Sequence, residues 1–165
     1  AERVMVLDFD AHHGDGTEEI LADRPGVRFL SLFQWPLFPH RRMEPTPSNA
    51  VLSPLPAGAG GEDIRNVVEN VWLPEIDKFQ PDLMILSAGF DAHCEERIAQ
   101  LKAGEMDYAC VTRLLVEASF AYCEGRLVSV LEGGYELRSL ARSVFTHLQG
   151  LIRNPLPAET CKDPN

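Results

Sequence analysis

No apolar run in the 165-residue sequence approaches the ~20 residues needed to cross a bilayer, so a membrane-spanning helix is excluded. The first residues, Ala1-Glu2-Arg3-Val4, do not lead a basic segment into a long apolar stretch, and no signal peptide is visible. Basic residues are scarce as well. Fifteen Lys and Arg against 25 Asp and Glu leave a net charge of −10, which argues against a nucleic-acid backbone as partner. Cationic substrates, such as lysine-bearing tails or polyamines, suit such a surface better. The four cysteines (Cys94, Cys110, Cys123, Cys161) show no C-x-x-C spacing and are expected to be reduced thiols of a cytoplasmic protein. Cys110 and Cys123 fall on an apolar helical pattern as buried, inert thiols. Internal repeats are lacking too. A homo-oligomer is compatible with these properties but not specified by them.

What is present alternates strand with helix. Val4–Leu7, Val27–Leu32, Asp82–Ser87 and Leu127–Leu131 are short runs rich in strand formers, with a brief strand expected at Ala50–Leu52. Helices are expected around Thr17–Ala22, over Glu62–Lys78 with a disturbance at Pro74, and over Met106–Cys123. In a last helix Leu137, Leu140, Val144, Leu148 and Leu151 line one face. Between Gln34 and Gly61 lies a proline-rich loop that, with Phe33 just before it, carries Trp35, Leu37 and Phe38, aromatic and apolar enough to pack at the rim of a site. The tail after Asn154, with three prolines, reads as a surface segment. The pattern predicts one α/β domain with a mostly parallel sheet and helices on both faces.

In such sheets ligands bind beyond the carboxyl ends of the strands. Three strands here end in polar or glycine-rich clusters, at Asp8–Asp15, Gly89–His93 and Gly133–Tyr135. In an extended segment residues two apart point the same way, so Asp8, Asp10 and His12 share a face while Phe9 and His13 turn away. Packing such groups together without a cation costs several kcal/mol in desolvation and like-charge repulsion. With Asp91 from the neighbouring strand end, Asp10 and His12 make a set of one nitrogen and two carboxylates. A catalytic zinc takes three such ligands and keeps one position open. The same set tolerates iron or cobalt.

Three ordered motifs carry a resemblance over Val4 to Leu151: Leu7-Asp8-Phe9-Asp10-Ala11-His12-His13-Gly14-Asp15-Gly16-Thr17, Leu86-Ser87-Ala88-Gly89-Phe90-Asp91-Ala92-His93 and Val130-Leu131-Glu132-Gly133-Gly134-Tyr135. They resemble the histone deacetylases, nearest to the acetoin-utilisation and acetylpolyamine-amidohydrolase type. The resemblance implies a three-layer, arginase- and deacetylase-like fold with its N-terminal part missing, residues 1–154 forming a partial catalytic domain and 155–165 a tail. It implies hydrolysis of an acetylated lysine or polyamine to acetate and free amine. Asp10, His12 and Asp91 match the family's zinc ligands, and Tyr135 matches the tyrosine that polarises the substrate carbonyl. Asp8 and Asp15 match carboxylates that orient two catalytic histidines. Asp8 also matches a potassium ligand, joined by backbone carbonyls of Asp10, His12 and the segment Ser31-Leu32.

The family's adjacent His-His pair, its general base, precedes the aspartate-rich strand, and the only adjacent pair here is His12-His13 within the metal motif. Its loss costs about 10²–10⁴-fold in rate, so these 165 residues alone are expected to be unstable or inactive. Glu95-Glu96-Arg97 stands where the family usually has Asp-Pro, and His40-Arg41-Arg42 where glycine is common. An arginase-like ureohydrolase needs a second aspartate in the Phe90-Asp91-Ala92-His93 motif for its two metals. A non-catalytic metal-binding or interaction module is the further alternative, and the retained Tyr135 argues against it.

Overall fold

The computed structural model describes residues 1–40 and 45–152, so Arg41, Arg42 and the tail 155–165 lie outside the described residues. Five strands, β1 (Val4–Asp8), β2 (Val27–Gln34), β3 (Ala50–Leu55), β4 (Leu83–Ala88) and β5 (Leu127–Leu131), form one sheet in the order β3-β2-β1-β4-β5. All four pairings are parallel. Each crossover therefore has to climb back over a sheet face, which is why helices separate most of the strands. Pro54 sits in β3 at the sheet edge, where a missing N–H costs no ladder bond.

Register explains how the two faces differ. Leu7 pairs with Leu30 and Leu86, and these side chains point into one core with Met5, Leu32 and Met84. Helices α2 (Gly61–Val67), α3 (Leu73–Phe79) and α4 (Glu105–Cys123) cover that face through Ile64, Ile76, Val111 and Leu115. Burial of each such side chain contributes about 1.5–3 kcal/mol. On the opposite face Phe29 and Phe33 pack against His13, whose Nε2 lies 2.8 Å from Glu18 of the short α1 (Asp15–Leu21). Helices thus lie on both faces, unequally.

The disturbance expected at Pro74 takes the form of a π-helical turn, Val68–Trp72, joining α2 to α3. Proline has no N–H to continue the i→i−4 ladder, and just before it the Leu73 N–H reaches back five residues to the Val68 carbonyl. Trp72, in that turn, is fully buried.

Helix α5 (Leu137–Leu151) differs from the expected orientation. Ser139, Ser143 and His147, spaced four apart, are its buried stripe, while Leu137, Phe145 and Leu148 are exposed. Leu140 and Val144 still reach the core. Small side chains let α5 approach α4 closely: a Cβ on Gly150 would come within 2.7 Å of Thr112 Cγ2. At the sheet edge, β5, Val128, Val130 and Leu131 are about half exposed. Among the described residues no helix is long and apolar enough to cross a membrane. Cys94 and Cys123 are free thiols, Cys123 and Cys110 both buried in the body of the domain.

The buried His147 is tied at both nitrogens. The Thr112 hydroxyl donates to the Tyr108 carbonyl at 2.7 Å, so its oxygen, 2.7 Å from His147 Nδ1, accepts the imidazole proton. Ser129 Oγ then donates to Nε2 at 2.8 Å. Burial pushes the His147 pKa down from 6.5 to about 4. Since the unfolded chain binds this proton at higher pH, stability is full above about pH 6.5 and falls as pH drops toward 4. Urea unfolding across that window is expected to lose about 3 kcal/mol at this site. A His147→Gln variant should show a correspondingly shallower pH dependence.

Candidate metal centre and active-site cleft

The chain leaves β1 through Asp8 and β4 through Ala88, neighbours in the sheet, so Asp10 and His12 emerge beside Asp91. The Phe9 N–H bonded to the Ser87 carbonyl and the Ala11 N–H donating to Asp91 Oδ1 at 2.8 Å stitch the two strand ends together. Ligand atoms of Asp10, His12 and Asp91 lie within 4.8 Å of one another. His12 Nδ1 is 3.1 Å from Asp10 Oδ1 and 2.8 Å from Asp91 Oδ2. The expected trio is therefore brought together, and Phe9 turns into the core as the alternation requires.

Electrostatics mark the same point. Hydrogen bonds to Asp10 and then Asp91 raise the His12 pKa from 6.5 to about 10, against the downward push of burial. Burial pushes Asp10 up, but donors from the His12 ring, the His12 backbone and Gly133 outweigh it and hold its carboxyl low. In Asp91 burial wins and the carboxyl is raised. Asp91 is fully buried, and its Oδ2 lies 2.8 Å from His12 Nδ1 with no other donor on it. A fully buried carboxylate oxygen facing an imidazole nitrogen and a second carboxylate is an arrangement that could hold a metal ion. The residues fit a metal ion with one nitrogen and two oxygen ligands.

Glycines make the convergence sterically feasible. A Cβ on Gly89 would lie 2.3 Å from Asp10 Oδ2, and one on Gly133 would lie 2.4 Å from Asp91 Oδ2 and 2.5 Å from Asp10 Oδ2. The Gly133 N–H donates to Asp10 Oδ2 at 2.8 Å. Over the trio opens a cleft of about 450 Å³, lined by Asp8, Asp10, His12, Phe38, Ile98 and Tyr135 among others. Phe38 stands edge-on to His12 at 6.5 Å, so the aromatic loop does form the rim. Tyr135, 62% exposed, projects at the cleft from the turn after β5. Burial, then Asp91 and Asp10, raise its phenol pKa and keep the hydroxyl a donor.

The remaining expected residues fall unevenly. Asp8 is buried beneath the trio, its pKa raised well above the usual value by burial, with its Oδ1 accepting the Asp10 N–H at 3.0 Å. Beside it in register, Ser31 is fully buried with an Oγ that has no hydrogen-bond partner, and Leu32 lies in the core. Asp15 is exposed at the start of α1, its carboxylate capping the Gly16 N–H, and it does not line the cleft. His13 packs against Phe33 and Glu18. Residues that sequence reasoning missed are Ile98 in the cleft wall and Glu96, whose Oε1 accepts the Tyr135 and Glu136 N–H groups. The acidic run Glu95-Glu96 drew notice only as a departure from the family pattern.

A parallel α/β sheet thus carries one imidazole and two carboxylates at adjacent strand ends, a donor set that could hold a metal ion, beside a tyrosine that follows two glycines. Residues 1–151 match the family described as the histone deacetylase domain, and the chain belongs to that family. It is 38% identical over 142 residues to a probable deacetylase of Archaeoglobus fulgidus, covering 82% of this chain and 40% of the relative. A human polyamine deacetylase is 34% identical over 170 residues, covering 94% of this chain and 24% of that protein. The crystal structure of the HDA15 HD domain superposes with a TM-score of 0.84 at 29% identity, covering 99% of this chain and 48% of that one. The chain thus spans under half the length of each protein it is compared with.

Because Gly133 has no room for a methyl group, Gly133→Ala is expected to lower the unfolding free energy by about 1–3 kcal/mol. Gly16, with nothing within 4 Å of its Cβ position, is the control. Gly16→Ala should leave stability unchanged or raise it by about 0.5–1 kcal/mol, both read by urea denaturation.

Proposed function

We propose that this chain carries the metal-binding and oxyanion-stabilising part of a zinc-dependent deacetylase that releases acetate and a free amine. The convergence of Asp10, His12 and the fully buried Asp91, with ligand atoms within 4.8 Å of one another, is the observation that supports it most directly. Zinc held by Asp10, His12 and Asp91 would supply a Lewis acid and a water activated near neutral pH. Gly133 and Ala11 donate to the outer oxygens of the two carboxylates and fix their orientation. Tyr135 offers its hydroxyl to the oxyanion of the carbonyl under attack. Phe38 and Ile98 give the substrate an apolar approach, while Asp8 and the donorless Ser31 Oγ would hold a potassium ion beneath the site.

The substrate we propose is an acetylated cationic amine, lysine or polyamine, in keeping with the net charge of −10 and with the acetyl-amine substrate class implied by the name of the human relative. The proton-accepting histidine pair is absent from the 165 residues, so turnover requires it from other polypeptide, for which the apolar edge at β5 and α5 offers a seat. Residues 1–165 are therefore expected to run at about 10⁻² to 10⁻⁴ of the rate of a deacetylase that carries the pair, or less. Full turnover from them would overturn the missing-base reading.

Zinc titration of the natural protein followed by calorimetry tests the metal site without an assay. One equivalent should bind, and His12→Ala or Asp91→Ala should weaken it by at least about 10²-fold. In the loaded protein Tyr135→Phe should lower kcat by about 10²–10³-fold and leave zinc affinity unchanged. A protein that binds zinc yet never hydrolyses an acetyl amine would instead be the non-catalytic module.

A further inference from the structure

Glu96 is buried in the loop after β4, facing the turn that carries Tyr135 into α5. Its Oε1 accepts the Tyr135 N–H at 2.7 Å and the Glu136 N–H at 2.9 Å. Its own N–H donates to the His93 carbonyl at 2.9 Å, which ties the acceptor to the strand end bearing Asp91. We propose that Glu96 is a positioning residue for Tyr135, locking the backbone from which the hydroxyl is aimed over the metal centre. This rests on the role given to Tyr135 above.

The turn needs such a lock for local reasons. Gly133 is pinned at both ends, its N–H on Asp10 and its carbonyl accepting the Phe90 N–H at 2.7 Å. Gly134 follows with φ +143, a conformation open only to glycine, and so is the joint about which the next residue can swing. Tyr135 is 62% exposed, so little packing orients its ring. Its direction is then set by the backbone at 135 and 136, and Glu96 holds both N–H groups there with a single oxygen. A carboxylate acceptor gives shorter and stronger bonds than a neutral one. It also sits at the N-terminal end of α5, where negative charge is favoured, so a purely helix-capping role has to be distinguished from positioning.

The test uses the natural, zinc-loaded protein. Glu96→Ala is expected to lower kcat by about 10²-fold, the cost of misplacing a catalytic group by about 1 Å, with KM and zinc content little changed. Glu96→Gln, which keeps an acceptor oxygen at the same reach, should recover most of that loss and serves as the folded comparison. In a Tyr135→Phe background Glu96→Ala should cost less than about threefold more, because no hydroxyl remains to be aimed. Amide exchange at Tyr135 and Glu136 should accelerate in Glu96→Ala and not in Glu96→Gln. Wild-type kcat in Glu96→Ala, or an equal loss with and without the Tyr135 hydroxyl, would overturn the proposal in favour of simple capping. Absence of deacetylation in the wild-type protein would sink the functional reading instead, and the exchange rates would still decide the anchoring.

Discussion

Asp10 and Asp91 are held against one imidazole nitrogen at the ends of two adjacent strands, and much of the structure exists to tolerate that. At effective protein dielectric two unit charges about 4 Å apart interact by about 4 kcal/mol. Parallel pairing of β1 with β4 forces the approach, since Asp8 and Ser87 are level and both chains leave the sheet in the same direction. Each carboxylate then takes a backbone N–H on its outer oxygen, from Gly133 and Ala11. The inner oxygens and His12 Nδ1 are left facing one another, and the two carboxylates raise the imidazole pKa. Glycine at 89 and 133 is a consequence of this crowding, because any side chain would enter the carboxylates' space.

The site and the C-terminal helix are mechanically one unit. Gly133 touches the metal trio, Tyr135 and Glu136 hang from Glu96, and Glu136 begins α5. The helix in turn is seated by His147, bonded to Thr112 of α4 and Ser129 of β5. A buried imidazole bonded at both nitrogens permits one rotation and one depth of the helix, which an apolar contact would not specify as sharply. The turn carrying Tyr135 therefore inherits its placement from a polar network on the far side of α5, as well as from Glu96 in front. The helix's larger apolar side chains face outward, and the β5 edge is half exposed.

Periodicity made the strands and helices legible, since a run such as Leu-Met-Ile-Leu in β4 allows little else. Alternation likewise placed Asp10 and His12 on one side and Phe9 on the other. What periodicity lacks is direction. In α5 the leucines repeat correctly, yet Ser139, Ser143 and His147 take the inside, because close approach to α4 favours small residues and a satisfied imidazole over bulk. Glu96 was illegible for a different reason: its function is to receive backbone N–H groups 39 and 40 positions away, and backbone donors leave no mark in a sequence. The π-helical turn before Pro74 is a three-dimensional fact of the same kind.

A second group of potential ligands is formed by His93, Glu95 and Glu105. Its chemistry argues against a metal ion there. The Glu95 N–H donates to His93 Nδ1 at 3.1 Å, so in the neutral ring the proton sits on Nε2, 3.5 Å from Glu105 Oε2. The charges of the two glutamates are meanwhile met by Arg142, which bonds both; against the upward push of burial, that contact holds the Glu105 pKa at about 2. The group behaves as a closed ion-pair cluster joining the loop after β4 to α4 and α5. In the β4 motif itself Asp91 is the single carboxylate, with Ala92 and His93 following. A two-metal hydrolase needs bridging carboxylates there, so the donor set supports the deacetylase arrangement over the ureohydrolase one.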